Sequence, residues 1–191
     1  QALLLASTSA YRRRLLERLG LPFECVAPGV DEARLAGEAA TALVTRLARA
    51  KTLAVARQRR DAVVVGSDQI ALRGDDLLGK PGDAARCARE LAASSGRELT
   101  FLTAVCVAAN GGARCLEFTD HTTVQLRVLD DAEIARYVAL DRPWDCAGGF
   151  KGESLGIALC ERIETRDPTA LTGLPLIWLA GALRECGFAV P

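Results

Sequence analysis

The sequence predicts a mixed α/β fold, a twisted β-sheet flanked by helices with a cleft fed by several loops. Three observations predict it. Strand-like and helix-like segments alternate in the first part of the chain, as they do in parallel α/β units. Ala62-Val63-Val64-Val65 is a short continuous apolar run, the pattern of a strand buried on both faces. A long hairpin around Asn110-Gly111-Gly112 then interrupts the alternation, which argues against a purely parallel sheet.

The 191 residues suffice for one domain with a sizeable core, or for two lobes sharing a sheet. The expectation is a single domain over residues 1–191. Half of the chain is hydrophobic and a quarter is charged, an ordinary globular composition. Lys and Arg number 24, and so do Asp and Glu, so the net charge is zero and disfavours a nucleic-acid partner. No apolar run approaches the ~20 residues of a membrane-spanning helix, so no membrane partner is expected. Ala2-Leu3-Leu4-Leu5-Ala6 is too short for a signal-peptide core and reads as a first strand; the chain opens on Gln1, which reads as a trimmed start. The seven cysteines are odd in number and form no Cys-x-x-Cys, which reads as reduced thiols in a cytoplasmic protein.

The first strand, Leu3 to Ala6, leads through Ser7-Thr8-Ser9 into a helix with Leu15, Leu16 and Leu19 on one face and Gly20 as its stop. Hydroxyls, backbone N–H groups and Arg12, Arg13 and Arg14 thus gather at one helix start, a ready anion site. The helix dipole disfavours arginines there, which suggests that at least one serves a ligand. A capped helix with a solvated basic face is the plainer reading. Phe23 to Ala27 is a second short strand, and Asp31-Glu32 follow in a loop, where they either hold a metal or are solvated. A helix from about Ala40 to Arg57 carries Leu43, Leu47, Ala50 and Ala54 in a stripe, with Lys51 at its margin, where a lysine usually snorkels.

The Val63 strand reaches Gly66-Ser67-Asp68-Gln69, which places a carboxylate at the C-terminal end of a buried strand, where open α/β sheets bind ligands. A mere turn cap is the competing reading for Asp68. Ile70 to Leu72 continue into a hairpin at Arg73-Gly74-Asp75-Asp76, and Gly79-Lys80-Pro81 ends the return; it lacks the spaced glycines and the hydroxyl of a Walker A loop. A helix is expected from about Asp83 to Ala93, hairpin arms over Thr100 to Ala109 and Ala113 to Leu129, and a capped helix from Asp130 to Leu140. The lone His121 reads as a strand-surface residue. Cys146 to Glu153 is a glycine-rich loop with Lys151 and Glu153, followed by a strand from Leu155 to Ile163 and a last helix from about Leu176 to Glu185. Cys160 and Arg166 have the Cys-x5-Arg spacing of a cysteine phosphatase, but Glu161 and Glu164 would repel phosphate.

The order and spacing of Leu5-Ala6-Ser7-Thr8-Ser9 with Arg12, Asp31-Glu32, Lys51, Ser67-Asp68, Gly79-Lys80-Pro81, Ala147-Gly148 with Phe150, and Gly173-Leu174-Pro175-Leu176 resemble the Maf family of nucleotide pyrophosphatases over essentially the whole chain. The resemblance implies a mixed α/β fold of two lobes with a deep cleft between them. It implies hydrolysis of a nucleoside triphosphate to its monophosphate and pyrophosphate, with a divalent cation, Mg²⁺ or Mn²⁺. The dTTP/UTP members carry Arg, Thr and Gln where this chain has Tyr11, Gln69 and Glu153, which instead look like the subgroup acting on 7-methyl-GTP. Ala10 stands where Pro is usual, which loosens the helix start slightly.

Such chemistry needs positive charge for the leaving pyrophosphate, a bridging metal and an aimed water. Arg12, Lys51 and Lys80 supply charge, with Ser7 and the turn N–H groups; Asp68 is the base or a metal ligand, and Glu32 a further metal ligand. Two other readings are weaker. Aspartyl phosphotransfer at Asp68 lacks the second carboxylate two residues on, where Ile70 stands. A nucleotide-binding regulator of cell division, in keeping with the family's tie to septum formation, would not need an aimed base. A homodimer is left open.

Overall fold

A computed structural model describes residues 1–191. β1 (Leu3–Leu5) lies parallel to both β2 (Glu24–Cys25) and β3 (Val63–Arg73), the outcome expected of strand–helix–strand units. β3 turns back into β4 (Asp76–Leu78), antiparallel, with Ala71 opposite Leu78. β5 (Glu98–Ala109) and β6 (Arg114–Leu126) are the long arms around Asn110–Gly112, and β7 (Cys160–Glu164) pairs antiparallel with β6. The strands form one mixed seven-stranded sheet in the order β2-β1-β3-β5-β6-β7, with β4 joined to β3. The five α-helices are α1 (Ala10–Glu17), α2 (Ala40–Ala56), α3 (Ala84–Ser94), α4 (Asp131–Asp141) and α5 (Leu176–Glu185). No helix is long and apolar enough to cross a membrane.

The chain divides into two compact units. The first comprises Gln1–Asp68, Thr103–Asp120 and Asp167–Pro191; the second comprises Gln69–Leu102 and His121–Arg166. In the first, strand alternation sorts the core onto two faces. Leu3, Leu5, Val63 and Val65 pack with Leu15 and Leu16 of α1 and Leu179 and Leu183 of α5. Leu4, Val64 and Ala62 pack with Val55 and Ala56 of α2. The triple valine is therefore a strand buried on both faces, as its lack of alternation predicts. In the second unit, α4 starts with a capping box between Asp130 and Glu133, and α3 with Asp83 accepting from the Arg86 N–H at 2.8 Å. Phe101 and Phe150 pack with ring centroids 5.7 Å apart.

Three expectations need correction. Asp68 does not stand at the C-terminal end of its strand, because β3 continues, as the hairpin at Arg73-Gly74 predicts, to Arg73. What ends near Gly66 is the parallel pairing of β3, because β1 stops at Leu5, opposite Val65. The expected strand from Leu155 to Ile163 is shorter: Leu155–Leu159 is a 3-10 turn and only Cys160–Glu164 pairs. Gly156 permits this, since its N–H donates to the Lys151 carbonyl at 3.1 Å and a Cβ there would collide with that carbonyl. Lys51 is the third correction, because it lies inside the buried stripe of α2, with Leu47, Ala48, Thr52 and Val55, and does not snorkel.

Gly66 is required by close approach. A Cβ there would collide with the Thr52 hydroxyl and come to 2.9 Å from the Thr52 nitrogen. That hydroxyl is fixed by donating to the Ala48 carbonyl at 2.8 Å, so it cannot swing away without losing the bond. Gly66→Ala is expected to destabilise by about 1–3 kcal/mol. At ~2–4 °C per kcal/mol, thermal unfolding should show a Tm lowered by roughly 2–12 °C. An unchanged Tm would mean that α2 shifts away from β3 at no cost.

Candidate functional site

In the first unit the structure brings Arg12, Glu32, Lys51 and Asp68 together. Lys51 comes from the middle of α2, and its Nζ lies 2.7 Å from Asp68 Oδ1 and 2.8 Å from Glu32 Oε1. The Lys51 and Asp68 side chains are only 7% and 9% exposed, whereas Glu32 is 60% exposed. A buried ammonium is costly unless paired, and here one carboxylate meets it from inside and another from the solvent side. Burial pushes the Asp68 carboxyl above its ordinary value, and the charges of Lys51 and Arg12 pull it back only in part. Its Oδ1 is taken by Lys51, which leaves Oδ2 for a water or a cation.

Arg12 stands out from its neighbours. Its Nε donates to the Gly173 carbonyl at 3.0 Å, while Arg13 pairs with Glu17 at 3.0 Å on the exposed face and Arg14 is exposed. Burial draws the Arg12 guanidinium below its ordinary value, and Asp68 and Glu32 counter that. With Nε committed to Gly173, both Nη groups remain for an anion. Ser7 is buried, and its Oγ accepts from the Ser9 N–H at 3.1 Å. Ser9 in turn caps α1. Tyr11, in the first turn of α1, is half-buried.

Residues that the motif reading gave no role complete this unit. The Ser67 hydroxyl is shared between the carbonyls of Ala104 at 2.7 Å and Gly173 at 2.9 Å. One carbonyl thus anchors both Arg12 and the residue before Asp68. Gly173 has φ +115°, in the left-handed region that favours glycine. Asp167 holds the same loop by accepting from the N–H groups of Thr169 at 2.9 Å and Ile177 at 2.7 Å. The only sequence signal for this was the unassigned Gly173-Leu174-Pro175 motif. Asp31 is not aimed at the group, since its Oδ1 accepts from the Ala33 N–H at 2.9 Å and closes a local turn. Arg46 steadies the loop that carries Glu32: it donates to the Ala33 carbonyl at 3.0 Å and holds the Glu38 carboxyl down at about 2 through their hydrogen bond.

The second unit holds Gln69, Lys80 and Glu153. Gln69 is half-buried and Lys80 is exposed beside Gly79, whose carbonyl accepts from the Gly148 N–H at 3.0 Å. Glu153 is exposed as a residue, yet loss of hydration around its carboxyl pushes it above the ordinary value. Cys160 lies in β7, and burial pushes its thiol up to about 11, the reverse of what a phosphatase nucleophile needs. All seven cysteines are free. His121 is exposed on β6, as expected of a surface residue.

No group of three or more His, Cys, Asp or Glu is placed to hold a metal ion. Glu32 and Asp68, two oxygen donors on one ammonium, nevertheless suit a hard cation that keeps waters and completes its shell with substrate phosphates, the usual manner of Mg²⁺.

The family model described as Maf-like protein matches residues 2–186. A protein of Alkalilimnicola ehrlichii named 7-methyl-GTP pyrophosphatase is 52% identical over 186 residues, covering 97% of this chain and 94% of its own length. One of the same name from Xanthomonas oryzae pv. oryzae is 52% identical over 189 residues, covering 99% and 98%. Another, from Pseudomonas syringae pv. syringae, is 45% identical over 190 residues, covering 100% and 99%. Among solved structures, the Staphylococcus aureus Ham1 protein is similar at a TM-score of 0.46 and 13% identity, over 66% of this chain and 72% of its own.

Proposed function

The chain belongs to the Maf family, and from that premise we propose that it is a pyrophosphatase that hydrolyses 7-methyl-GTP to 7-methyl-GMP and pyrophosphate. The observation that carries the reading is the buried Lys51 ammonium held between Asp68 and Glu32, with the Arg12 guanidinium acting on both carboxylates. Positive groups for a polyphosphate and carboxylates for a water and a cation are what this hydrolysis demands.

Water attacks the α phosphorus, the bond from that phosphorus to the α–β bridging oxygen breaks, and pyrophosphate leaves. Lys51 has three N–H donors, of which two face Asp68 and Glu32, so one remains for a phosphate oxygen. Arg12, with Ser7 and the N–H groups of its turn, holds the phosphates, and Lys80 is assigned to them as a further charge. Asp68 receives the proton of the attacking water or, beside Glu32, joins the shell of the cation, since a carboxylate on a cation is too acidic to serve as the base. Glu32 and Asp68 would hold Mg²⁺ or Mn²⁺, which when bound neutralises charge on the phosphate oxygens. A protein that only bound nucleotide would not need a base for an attacking water.

Base choice is assigned to Tyr11, Gln69 and Glu153. A 7-methylguanine ring is cationic and prefers an aromatic face, which Tyr11 offers for ~0.5–2 kcal/mol. Its N1–H and N2–H donors suit the Glu153 carboxylate, and Gln69 satisfies its carbonyl oxygen. The triple variant Tyr11→Arg/Gln69→Thr/Glu153→Gln is expected to lose most of the preference for 7-methyl-GTP over GTP, measured as the ratio of kcat/KM values. The wild-type preference should also fall as pH drops through the raised Glu153 value, because only the ionised carboxyl accepts both donors. An unaltered ratio in the triple variant, or a wild-type preference for dTTP, would remove these residues from base recognition.

A further inference from the structure

We propose that Tyr137 and Asp141, one turn apart on α4, are positioning residues for base selectivity, because they fix the loop that presents Glu153; this rests on the reading of Glu153 given above. The loop is fastened on both sides of that residue. The Tyr137 hydroxyl accepts from the Lys151 N–H at 2.9 Å and donates to the Gly149 carbonyl at 3.3 Å. Asp141 Oδ1 accepts from the Ser154 hydroxyl at 2.6 Å. Only Gly152 and Glu153 lie between the two fastenings, and the N–H groups of Ser154 and Gly156 close the turn onto the Lys151 carbonyl at 3.2 and 3.1 Å. A side chain on a short, doubly fastened turn loses little freedom on binding, so its carboxylate meets a ligand in place.

Both fastenings are built to persist. Tyr137 is buried, and burial pushes its phenol far above the ordinary value, so it stays a donor throughout the working range. The Asp141 side chain is 6% exposed and its Oδ2 makes no hydrogen bond. Asp141 Oδ1 also lies 4.0 Å from the Lys151 ammonium, so the one carboxylate ties down residues on both sides of Glu153.

The test measures kcat/KM for 7-methyl-GTP and for GTP, together with Tm, in Tyr137→Phe and Asp141→Asn, each in the wild type and in Glu153→Gln. The expected result is a preference lowered about 5- to 100-fold in each single variant, the scale of a small misplacement of a binding group, carried by KM for 7-methyl-GTP rather than by kcat. In Glu153→Gln the same substitutions should lower it no further. If Glu153→Gln lowers the preference but Tyr137→Phe and Asp141→Asn leave it unchanged, or reduce both substrates in parallel with Tm, the positioning role is overturned and the reading of Glu153 stands. If Glu153→Gln itself leaves the preference unchanged, the reading of Glu153 falls and the positioning role with it. Should Tyr137→Phe fail to fold, Ser154→Ala removes the other fastening and carries the same expectation.

Discussion

Asp68→Asn is expected to lower kcat by ~10²–10⁴ with the fold intact, the loss usual for a positioned base. Asparagine keeps the shape and can still accept from Lys51, but it takes no proton and binds a cation poorly. Lys51 keeps an anionic partner in Glu32, whose Oε1 lies 2.8 Å away, so the variant does not strand a buried charge. Gly66 and Ser67, which set the course of β3 before Asp68, are untouched. The check is steady-state hydrolysis of 7-methyl-GTP with Mg²⁺ present, alongside circular dichroism. A kcat near that of the wild type would show that the Asp68 carboxylate neither takes the proton nor holds the cation. A loss of folded signal would instead place its importance in the pairing with Lys51.

Much of the fold was legible because periodicity reports burial. Val63-Val64-Val65 announced a strand covered on both faces, α1, α2 and α5 were legible from their apolar spacing, and α1 also from its Ser9 cap. Periodicity failed where a polar group is buried for a reason that hydropathy cannot register. Lys51 was placed at the margin of α2 because Ala50 and Ala54 completed a plausible stripe, whereas the buried face runs through Lys51 and Thr52. Its two carboxylate partners come from residues 32 and 68, far off in sequence. Leu155 to Ile163 failed for the opposite reason, since a short apolar 3-10 turn and a strand share one composition. The anchor of Arg12 was invisible in principle, because the acceptor is the backbone carbonyl of Gly173 and carries no residue signature. Nothing in the spacing of Tyr137 reveals that its hydroxyl reaches a loop fourteen residues on.

The three consecutive arginines of α1 provide the sharpest test of how charge is used. Only Arg12 is tied into the fold by its Nε, with its guanidinium under the influence of Asp68 and Glu32. Arg12→Ala should therefore remove a desolvated phosphate contact, at about 2–5 kcal/mol, which is roughly 30- to 5,000-fold in kcat/KM. Arg14→Ala should cost less than about 1 kcal/mol, because an exposed charge acts through screened water. Arg13→Ala loses only an exposed i,i+4 pair with Glu17 and should behave like Arg14→Ala. Arg12→Lys separates charge from geometry. A lysine retains the positive charge but has no fork to span Gly173 and a phosphate together, so most of the loss should remain. Kinetics of the four variants at fixed ionic strength, with thermal unfolding as the control for folding, decide the matter. Equal losses for Arg12→Ala and Arg14→Ala would mean that the helix start works as a diffuse basic patch and that the Gly173 anchor is structural alone.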